Sequence, residues 1–487
     1  MSGGLIQLVA YSVYDIFLTQ EPEITFFKIV YRRHTCFTIE QIPQHFVSKP
    51  DFGKKTSCVI SKNGDLINNM NLVITLPAIP KFDESDNYLR FAWVRRIGYD
   101  IIKYIEIEIG NDVIDRHYGE WMNIWYELTI KKQKRIDMLI GDIKEITEFS
   151  DGKKSYKLTI PLNFWFCQSP GLALPILSLK DDDVKVNIEF RDFDQCSIVS
   201  PSHFVNIDRS FAHFEKDEPI INGDNNLVGR YAGHDFLTKR LYIQKLSDNT
   251  ISKGVTLVGQ KSGFCVETKG CEHIYNRSQA LKNIKLKDAY LIVDYIYLDN
   301  EERDKFFNGK HEYLIEQLYY SGEKTVDSLN QNIKLDFVHP CKELFWVSQL
   351  ALVQNKKIND HFNYTDSLVK ECGDNLIRKA AILFNGYDKV SIRDIEYFSR
   401  DQIYTYYKNS AASGINCFSF AFDPLKFQPN GAANFTKIEN VILKLIFKPI
   451  INSNLTKLRV YSKVYNILRI SCGCSGLAYS SNTILDF

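Results

Sequence analysis

His311-Glu312 opens like the His-Glu-x-x-His pattern, in which two imidazoles one helical turn apart hold zinc while the glutamate activates water. The second imidazole is missing, because Ile315 stands at the required spacing. Cys472 and Cys474 are separated by one residue and have no second Cys or His pair nearby, so they read as free thiols. Asp181-Asp182-Asp183 could attract a hard cation, but further oxygen ligands at defined spacing are absent and a solvated turn is the simpler reading. Gly53-Lys54-Lys55-Thr56 lacks the upstream glycine of a phosphate loop and the hydroxyl residue directly after its lysine. The ten histidines include no His-x-His pair of the kind a β-barrel metalloenzyme uses, and no Gly-x-Ser-x-Gly elbow occurs. Asn276, Asn363, Asn434 and Asn454 begin Asn-x-Ser/Thr triplets, a weak signal without a secretory route. The expectation is a protein that is not an enzyme, with no catalytic residues, no cofactor and no metal.

With chemistry set aside, the question becomes what the chain builds. It has 487 residues, 45% apolar and 24% charged, with a net charge of +1. That balance excludes a surface devoted to nucleic acid, and nothing points to a specific nucleic-acid partner. Apolar stretches such as 72–79 are too short to cross a membrane as a helix. The N-terminus shows no signal peptide, and Ser2 stands where myristoylation requires glycine. Eleven scattered cysteines fit a reducing compartment.

Aromatic residues reach 13%, which suits pleated sheets. Residues 104–109 alternate, with Ile105, Ile107 and Ile109 on one face and Tyr104, Glu106 and Glu108 on the other. Residues 184–190 do the same, with Lys185, Asn187 and Glu189 predicted to face water. One segment reads as helix: Trp121, Ile124, Trp125 and Leu128 fall on a single face at i, i+3, i+4, i+7. The basic run 131–135 after it reads as a solvated connection.

The order of these segments repeats. IEIEIGNDVIDRHYGEWMNIWYE (105–127) is echoed by AILFNGYDKVSIRDIEYF (381–398), and LTIPLNFWFCQSPG (158–171) by GINCFSFAFDPLKFQPNG (414–431). VKVNIEF (184–190) matches VILKLIF (441–447), and AYLIVDYIYLD (289–299) matches LRVYSKVYNILRI (458–470). The pattern predicts two all-β domains of related design. The halves differ at one place: the first carries roughly a hundred extra residues between its last two strands. That insertion starts loop-like and contains strand signals near 239–244 and 255–258.

The run GGLIQLVAYSVYDIFLTQEPEITFFKIVYRRHT (3–35) resembles the major capsid proteins of the nucleocytoplasmic large DNA viruses. The resemblance continues, in the family's order, through IPLNFWFCQSPGLALPILSL, VDYIYLDNEERDKFF, FVHPCKELFWVSQ, FQPNGAANFTKIEN and YNILRISCGCSGLAYS. It departs at Ser12-Val13-Tyr14-Asp15, at Asp181-Asp182-Asp183-Val184 and at Asn430 within Gln428-Pro429-Asn430-Gly431.

The resemblance implies an all-β double jelly-roll, two consecutive eight-stranded antiparallel sandwiches with an N-terminal arm. The arm would take residues 1–30 and the first roll 31–299, with the insertion 191–288 as an outward tower. A linker at 300–312 would lead to the second roll at 313–487. The implied function is a structural virion protein. A homotrimer forms a capsomer, and capsomers tile an icosahedral capsid assembled in the cytoplasm of the infected host cell. Implied partners are neighbouring capsomers, minor capsid and penton proteins, the internal viral membrane beneath the shell, and a host glycan or receptor reached through the insertion. Leu5, Leu8, Ile16 and Phe17 of the arm, and Tyr31, Arg32 and Arg33 at the start of the first roll, are the candidate assembly residues. The competing readings are a paralogue used at special shell positions, an assembly scaffold and, more distantly, a carbohydrate-binding β-sandwich.

Overall fold

The computed structural model describes residues 3–10, 19–29, 31–82, 88–130, 135–209, 212–247, 250–274, 281, 283–356, 358–370, 373–407, 409–452 and 455–479. Most of the basic run, 131–134, lies outside the described residues. The first half folds through β1 (Phe37–His45), β2 (Lys55–Val59), β3 (Leu66–Leu76), β4 (Arg90–Trp93), β5 (Ile102–Ile109), β6 (Asp112–Tyr118), β7 (Tyr156–Pro161) and β8 (Val184–Phe190). After β8 come β9 (Ser197–Ser200), β10 (His203–Ile207), β11 (Pro219–Asn222), β12 (Leu227–Asp235), β13 (Arg240–Lys245), β14 (Thr256–Gly259) and β15 (Cys265–His273). The half closes with β16 (Asp288–Leu298). The second half holds β17 (His311–Val326), β18 (Asn330–Lys334), β19 (Pro340–Leu350), β20 (Ile377–Phe384) and β21 (Tyr387–Asp394). It ends with β22 (Ile415–Ser419), β23 (Ala433–Asn434), β24 (Val441–Phe447), β25 (Thr456–Ser471) and β26 (Cys474–Leu477).

The two halves share one strand order. In the first, sheet β1-β16-β3-β7 packs over sheet β2-β8-β5-β6. In the second, β17-β25-β19-β22 packs over β18-β24-β20-β21. Counting the eight principal strands of each half from one to eight, the sheets read 1-8-3-6 and 2-7-4-5 both times. That is the jelly-roll order, and the chain contains it twice. The alternation read from sequence lies behind it. Ile105, Ile107 and Ile109 point inward to meet Val184, Val186 and Ile188, all buried in one core. The second roll has its own core around Leu344, Trp346, Leu443, Leu445 and Val460. The β20–β21 turn shows the local logic: Asn385 (φ 49°) and Gly386 (φ 86°) both take the left-handed conformation that a two-residue hairpin requires.

Between β8 and β16 the insertion is more ordered than its sequence suggests. Strands β10-β13-β12-β11-β14-β15 close into a small barrel with Val205, Ile220, Leu241, Ile243 and Leu257 at its centre. The opening stretch, expected to be loop-like, holds β9 to β12; short strands and the glycines of β12 hide the alternation there. The buried carboxylate of Glu218 pins the barrel's 261–262 turn, accepting hydrogen bonds from the backbone N–H of Lys261 (3.0 Å) and Ser262 (2.9 Å) and from Ser262 Oγ (2.8 Å). The charged 300–308 stretch is a helix, Asn300–Asn308, whose N-terminus is capped by the Asp299 carboxylate on the Glu302 N–H at 2.9 Å.

The registers place the exits of the chain. Phe37 at the start of β1 pairs with Leu298 at the end of β16, and His311 at the start of β17 pairs with Ile470 near the end of β25. The arm and the connection between rolls therefore leave from one end. The insertion re-enters at Asp288, an 11-residue strand away, roughly 36 Å along β16. Arm and barrel emerge from opposite ends.

Candidate assembly surfaces

The helix Gly119–Thr129 follows β6 directly. A side chain at Gly119 would come within 2.1 Å of the Tyr99 carbonyl oxygen, so glycine lets the helix start pressed against the roll. The face read from sequence is the face that packs: Trp121, Ile124 and Leu128 are buried and Trp125 is half-buried. They cover the outer side of the second roll's β17-β25-β19-β22 sheet, meeting Phe345, Val347, Tyr461, Ile415 and Cys417. Trp121 lies 5.0 Å from Phe345 and 5.6 Å from Trp125 between ring centroids. The helix joins the two rolls along an apolar seam.

Buried charge borders that seam. Arg459 of β25 reaches Glu120 at 3.1 Å and Glu323 at 3.3 Å, and Tyr461 donates its hydroxyl to the same Glu120 at 2.5 Å. Lys463 sits 2.5 Å from Glu316 and 4.1 Å from the ring centroid of Trp125, a first-roll aromatic. Lys342 also contacts Glu316, and Tyr407 donates to Glu343. Burial alone would raise the Glu316 carboxyl; the Lys463 and Lys342 ammoniums outweigh it and hold the group below the usual range. Glu343, wholly buried, is shifted upward by desolvation. The seam thiol Cys417 is also shifted up by burial, which suppresses the reactive thiolate.

Beside the seam lies a cleft of about 940 Å³ lined by Lys55, Tyr104, Arg116, Tyr320, Arg459 and residues around them. Two of its cations are matched: Arg116 pairs with Glu106 at 2.6 Å and Lys103 with Glu189 at 2.5 Å. This corrects the expectation that the polar face of β5 and β8 is open to water. Glu106 and Asn187 are buried, and the Asn187 amide donates to Glu106 (3.2 Å) and Glu108 (3.0 Å). That face turns toward the second roll.

Among the described residues the corresponding sheet of the first roll is covered at one end, where Leu66 and Ile296 meet Ala173 and Phe306, and is more open elsewhere. On the outer side of β1-β16-β3-β7, Ile39, Gln41 and Pro43 are exposed, and Tyr290, Ile292 and Asp294 opposite or beside them are only half-buried. The arm is barer still. Its described part contains a short helix, Gly3–Val9, with no buried residue. Leu5 is exposed, Leu8 is 78% exposed and Phe27 97%. Ile16 and Phe17 lie outside the described residues. Tyr31, Arg32 and Arg33 do not open the first strand, which begins at Phe37. All three are exposed, and neither arginine forms an ion pair with another described residue.

The other residues with chemical potential have structural settings. His311 shares a 2.7 Å hydrogen bond with the Phe306 carbonyl and stacks on its ring. Asp182 accepts from the Ser475 N–H at 2.6 Å, tying the C-terminal hairpin to the first roll. Cys472 and Cys474 are exposed on that hairpin. Arg459, Glu316 and Lys463 carry no motif and are missed by reading the sequence alone. The available signal was Lys342-Glu343, a charged pair directly before the apolar run 344–347 of β19; such pairs are rarely buried without partners.

Two family models match the chain: the N-terminus of major capsid proteins over residues 25–229, and the large eukaryotic DNA virus major capsid protein over 302–476. Probable capsid protein 4 of Acanthamoeba polyphaga mimivirus is 38% identical over 99% of this chain and 100% of its own length. The major capsid protein of Phaeocystis pouchetii virus is 30% identical with the same coverage. Among solved structures, a chain of the PBCV-1 virus capsid quasi-atomic model superimposes with a TM-score of 0.64 at 25% identity, covering 94% of this chain and all of that one. Twin jelly rolls, a helix-sealed seam and full-length similarity lead to one conclusion: the chain belongs to the major capsid protein family of the nucleocytoplasmic large DNA viruses.

Proposed function

We propose that three copies of this chain join as a pseudo-hexagonal capsomer and that capsomers tile the icosahedral shell of the virion, so that the protein acts as a building unit and not as a catalyst. One observation carries this reading: two rolls of the same strand order stand side by side in one chain. Three such chains around a threefold axis present six similar lobes, and a near-hexagonal unit fills a plane through repeated contacts. Contacts between capsomers can each be weak, because many act together.

The exits of the chain support a reading of its two ends. We read residues 1–30 as an arm, 31–299 as the first roll with 191–288 as a tower, 300–312 as a linker and 313–487 as the second roll. The arm, apolar in sequence and exposed where it is described, faces neighbouring capsomers, minor capsid and penton proteins and the membrane beneath the shell, with Leu5, Leu8, Ile16, Phe17, Tyr31, Arg32 and Arg33 as contact residues. A surface this apolar is otherwise a liability for a free protein. The tower, at the opposite end, points outward, where a host glycan or receptor is its natural partner. Assembly takes place in the host cytoplasm.

Electron microscopy of the purified chain tests the reading. Six-lobed particles with threefold symmetry that grow into sheets are expected; isolated two-lobed particles at every concentration would overturn it. Deleting residues 2–25 is expected to leave the particles intact and abolish their growth into ordered sheets. Undiminished sheet growth would remove the arm from assembly.

A further inference from the structure

A cavity of about 450 Å³ lies where the first roll, the barrel and the second roll meet. Trp93 at the end of β4 and Ile198 of β9 line one side, Leu246 just after β13 lines another, and Ile358 and Leu368 of the second roll close it. Leu246 packs with Ile358 and Val369, so barrel and second roll share that wall. A cavity of this size, mostly apolar with a few polar groups, suits a small molecule. We propose that it binds an amphipathic monoanion: an acyl chain that ends in a carboxylate, with a hydrogen-bond donor beside the carboxylate. The cavity lies within one chain, so the proposal is independent of how many copies join.

The charge on the lining calls for an anion. Arg95 and Lys370 face the cavity, and neither forms an ion pair with another described residue. Arg95 makes one long hydrogen bond, 3.4 Å, to the Phe362 carbonyl. A lysine withdrawn from water is rarely left without a partner. Burial, with the Arg95 charge adding to it, brings the Lys370 ammonium down to about 8, against the pull of Asp360 and Glu127. The other charges do not remove this surplus. On the barrel side Arg230 offsets Asp217, and Glu148 is held by Lys216 at 4.0 Å. Arg95 and Lys370 then stand against Asp360 alone, which leaves a single positive charge. One carboxylate neutralises it, taken by Arg95 as a fork and by Lys370 as a point charge.

An orphaned acceptor calls for the donor. Asn359 lines the same cavity and is 2% exposed. Its Nδ2 donates to the carbonyls of Asp194 at 2.7 Å and Ser197 at 2.8 Å. Those two bonds fix which way the amide points, and its Oδ1 has no hydrogen-bond partner among the described residues. A buried acceptor without a donor is uncommon in native proteins, and a ligand N–H or O–H supplies what is missing. The apolar walls take the acyl chain. A ligand seated this way touches all three units and holds the barrel to both rolls.

The probe is N-decanoylglycine, which carries an acyl chain, an amide N–H and a carboxylate. Titration calorimetry of the full chain, below the probe's micellar range, is expected to show saturable binding. Its glycinamide counterpart keeps the chain and the N–H but lacks the charge, and is expected to bind about tenfold more weakly or worse. Lys370→Gln is expected to weaken the carboxylate probe by about the same factor and to leave the glycinamide unchanged. Leu368→Trp, which fills the cavity, is expected to abolish binding of both, with circular dichroism like that of the parent; Ile198→Trp replaces it if that variant does not fold. No binding at about 1 mM probe would overturn the proposal. So would equal affinity for the two head groups, or binding undiminished in Lys370→Gln and the tryptophan variant, which would place the acyl chain on the bare apolar residues of the arm.

Discussion

Two sheets of identical strand order have opposite fates. In β17-β25-β19-β22 the inner strands are dry on both sides: ten of the eleven residues of β19 are buried, Lys342, Glu343 and Gln349 among them, while the edge strand β17 is mostly half-buried or exposed. In β1-β16-β3-β7, burial along β16 alternates, and Tyr290, Ile292 and Asp294 keep partial contact with water. Topology cannot account for the difference, because topology is the same. The neighbour accounts for it. The second-roll sheet is covered by the helix Gly119–Thr129, which brings Glu120 to Arg459 and to the Tyr461 hydroxyl, while Lys342 and Glu343 find Glu316 and Tyr407 within the second roll. The first-roll sheet has no comparable aromatic helix against its outer side among the described residues.

The comparison breaks most readily at Arg459. Arg459→Ala leaves the buried Glu120 carboxylate without its cation, and a loss of roughly 3–5 kcal/mol is expected in chemical denaturation. A loss under about 1 kcal/mol would mean that the covered sheet does not depend on its charges. Next come the two helices. Trp121→Ala opens a void in the seam and is expected to cost about 3–5 kcal/mol. Tyr404→Ala, at an exposed position of the helix Gln402–Tyr407 that follows β21, should change the stability of the isolated chain by no more than about 0.5 kcal/mol. Equal costs at the two sites would erase the distinction between a filled seam and an open surface.

A smaller effect sharpens the picture where the second roll grips the base of the insertion. His361 contacts the Gln195 carbonyl at 3.2 Å, and burial, with Arg191 adding to it, holds the imidazole down to about 3. Burial pushes the Asp100 carboxyl up to about 7, against the pull of Arg191, and neither of its oxygens has a hydrogen-bond partner among the described residues. The signs oppose. The neutral His361 favours the fold above its unfolded value near 6.5, and that support is lost as pH falls toward 3. The protonated Asp100 favours the fold below its unfolded value near 3.8, and that support is lost as pH rises through 7. The pair flattens the stability profile between about pH 4 and 7. Asp100→Asn should make the chain gain stability on going from pH 4 to 7, and His361→Gln should make it lose stability over the same range, each by about 1–3 kcal/mol in denaturation series. Parallel profiles for both variants and parent would contradict the opposing shifts.

Much of this architecture was legible in the residues. Ile105, Ile107 and Ile109 announced a strand, Trp121 to Leu128 a helix with one dry face, and the repeated order of segments a duplicated β-domain. Local pattern reports which residues avoid water, and that was enough for the cores. It does not report what covers the other side. Glu106 and Asn187 looked like a wet face because alternation cannot distinguish water from a polar cleft. The same limit hid Arg459, Lys463 and Glu316, whose partners lie in distant strands or in the other roll. The barrel escaped notice for a different reason: β10, β11 and β14 have four or five residues each, too few to establish a period.

The central claim is that three copies of this chain join as one unit. Native mass spectrometry across concentration measures this directly. Assembly at three times the 56.5 kDa chain, about 170 kDa, with no larger closed species is the expected result. A persistent 56.5 kDa monomer, or a closed dimer, would contradict it.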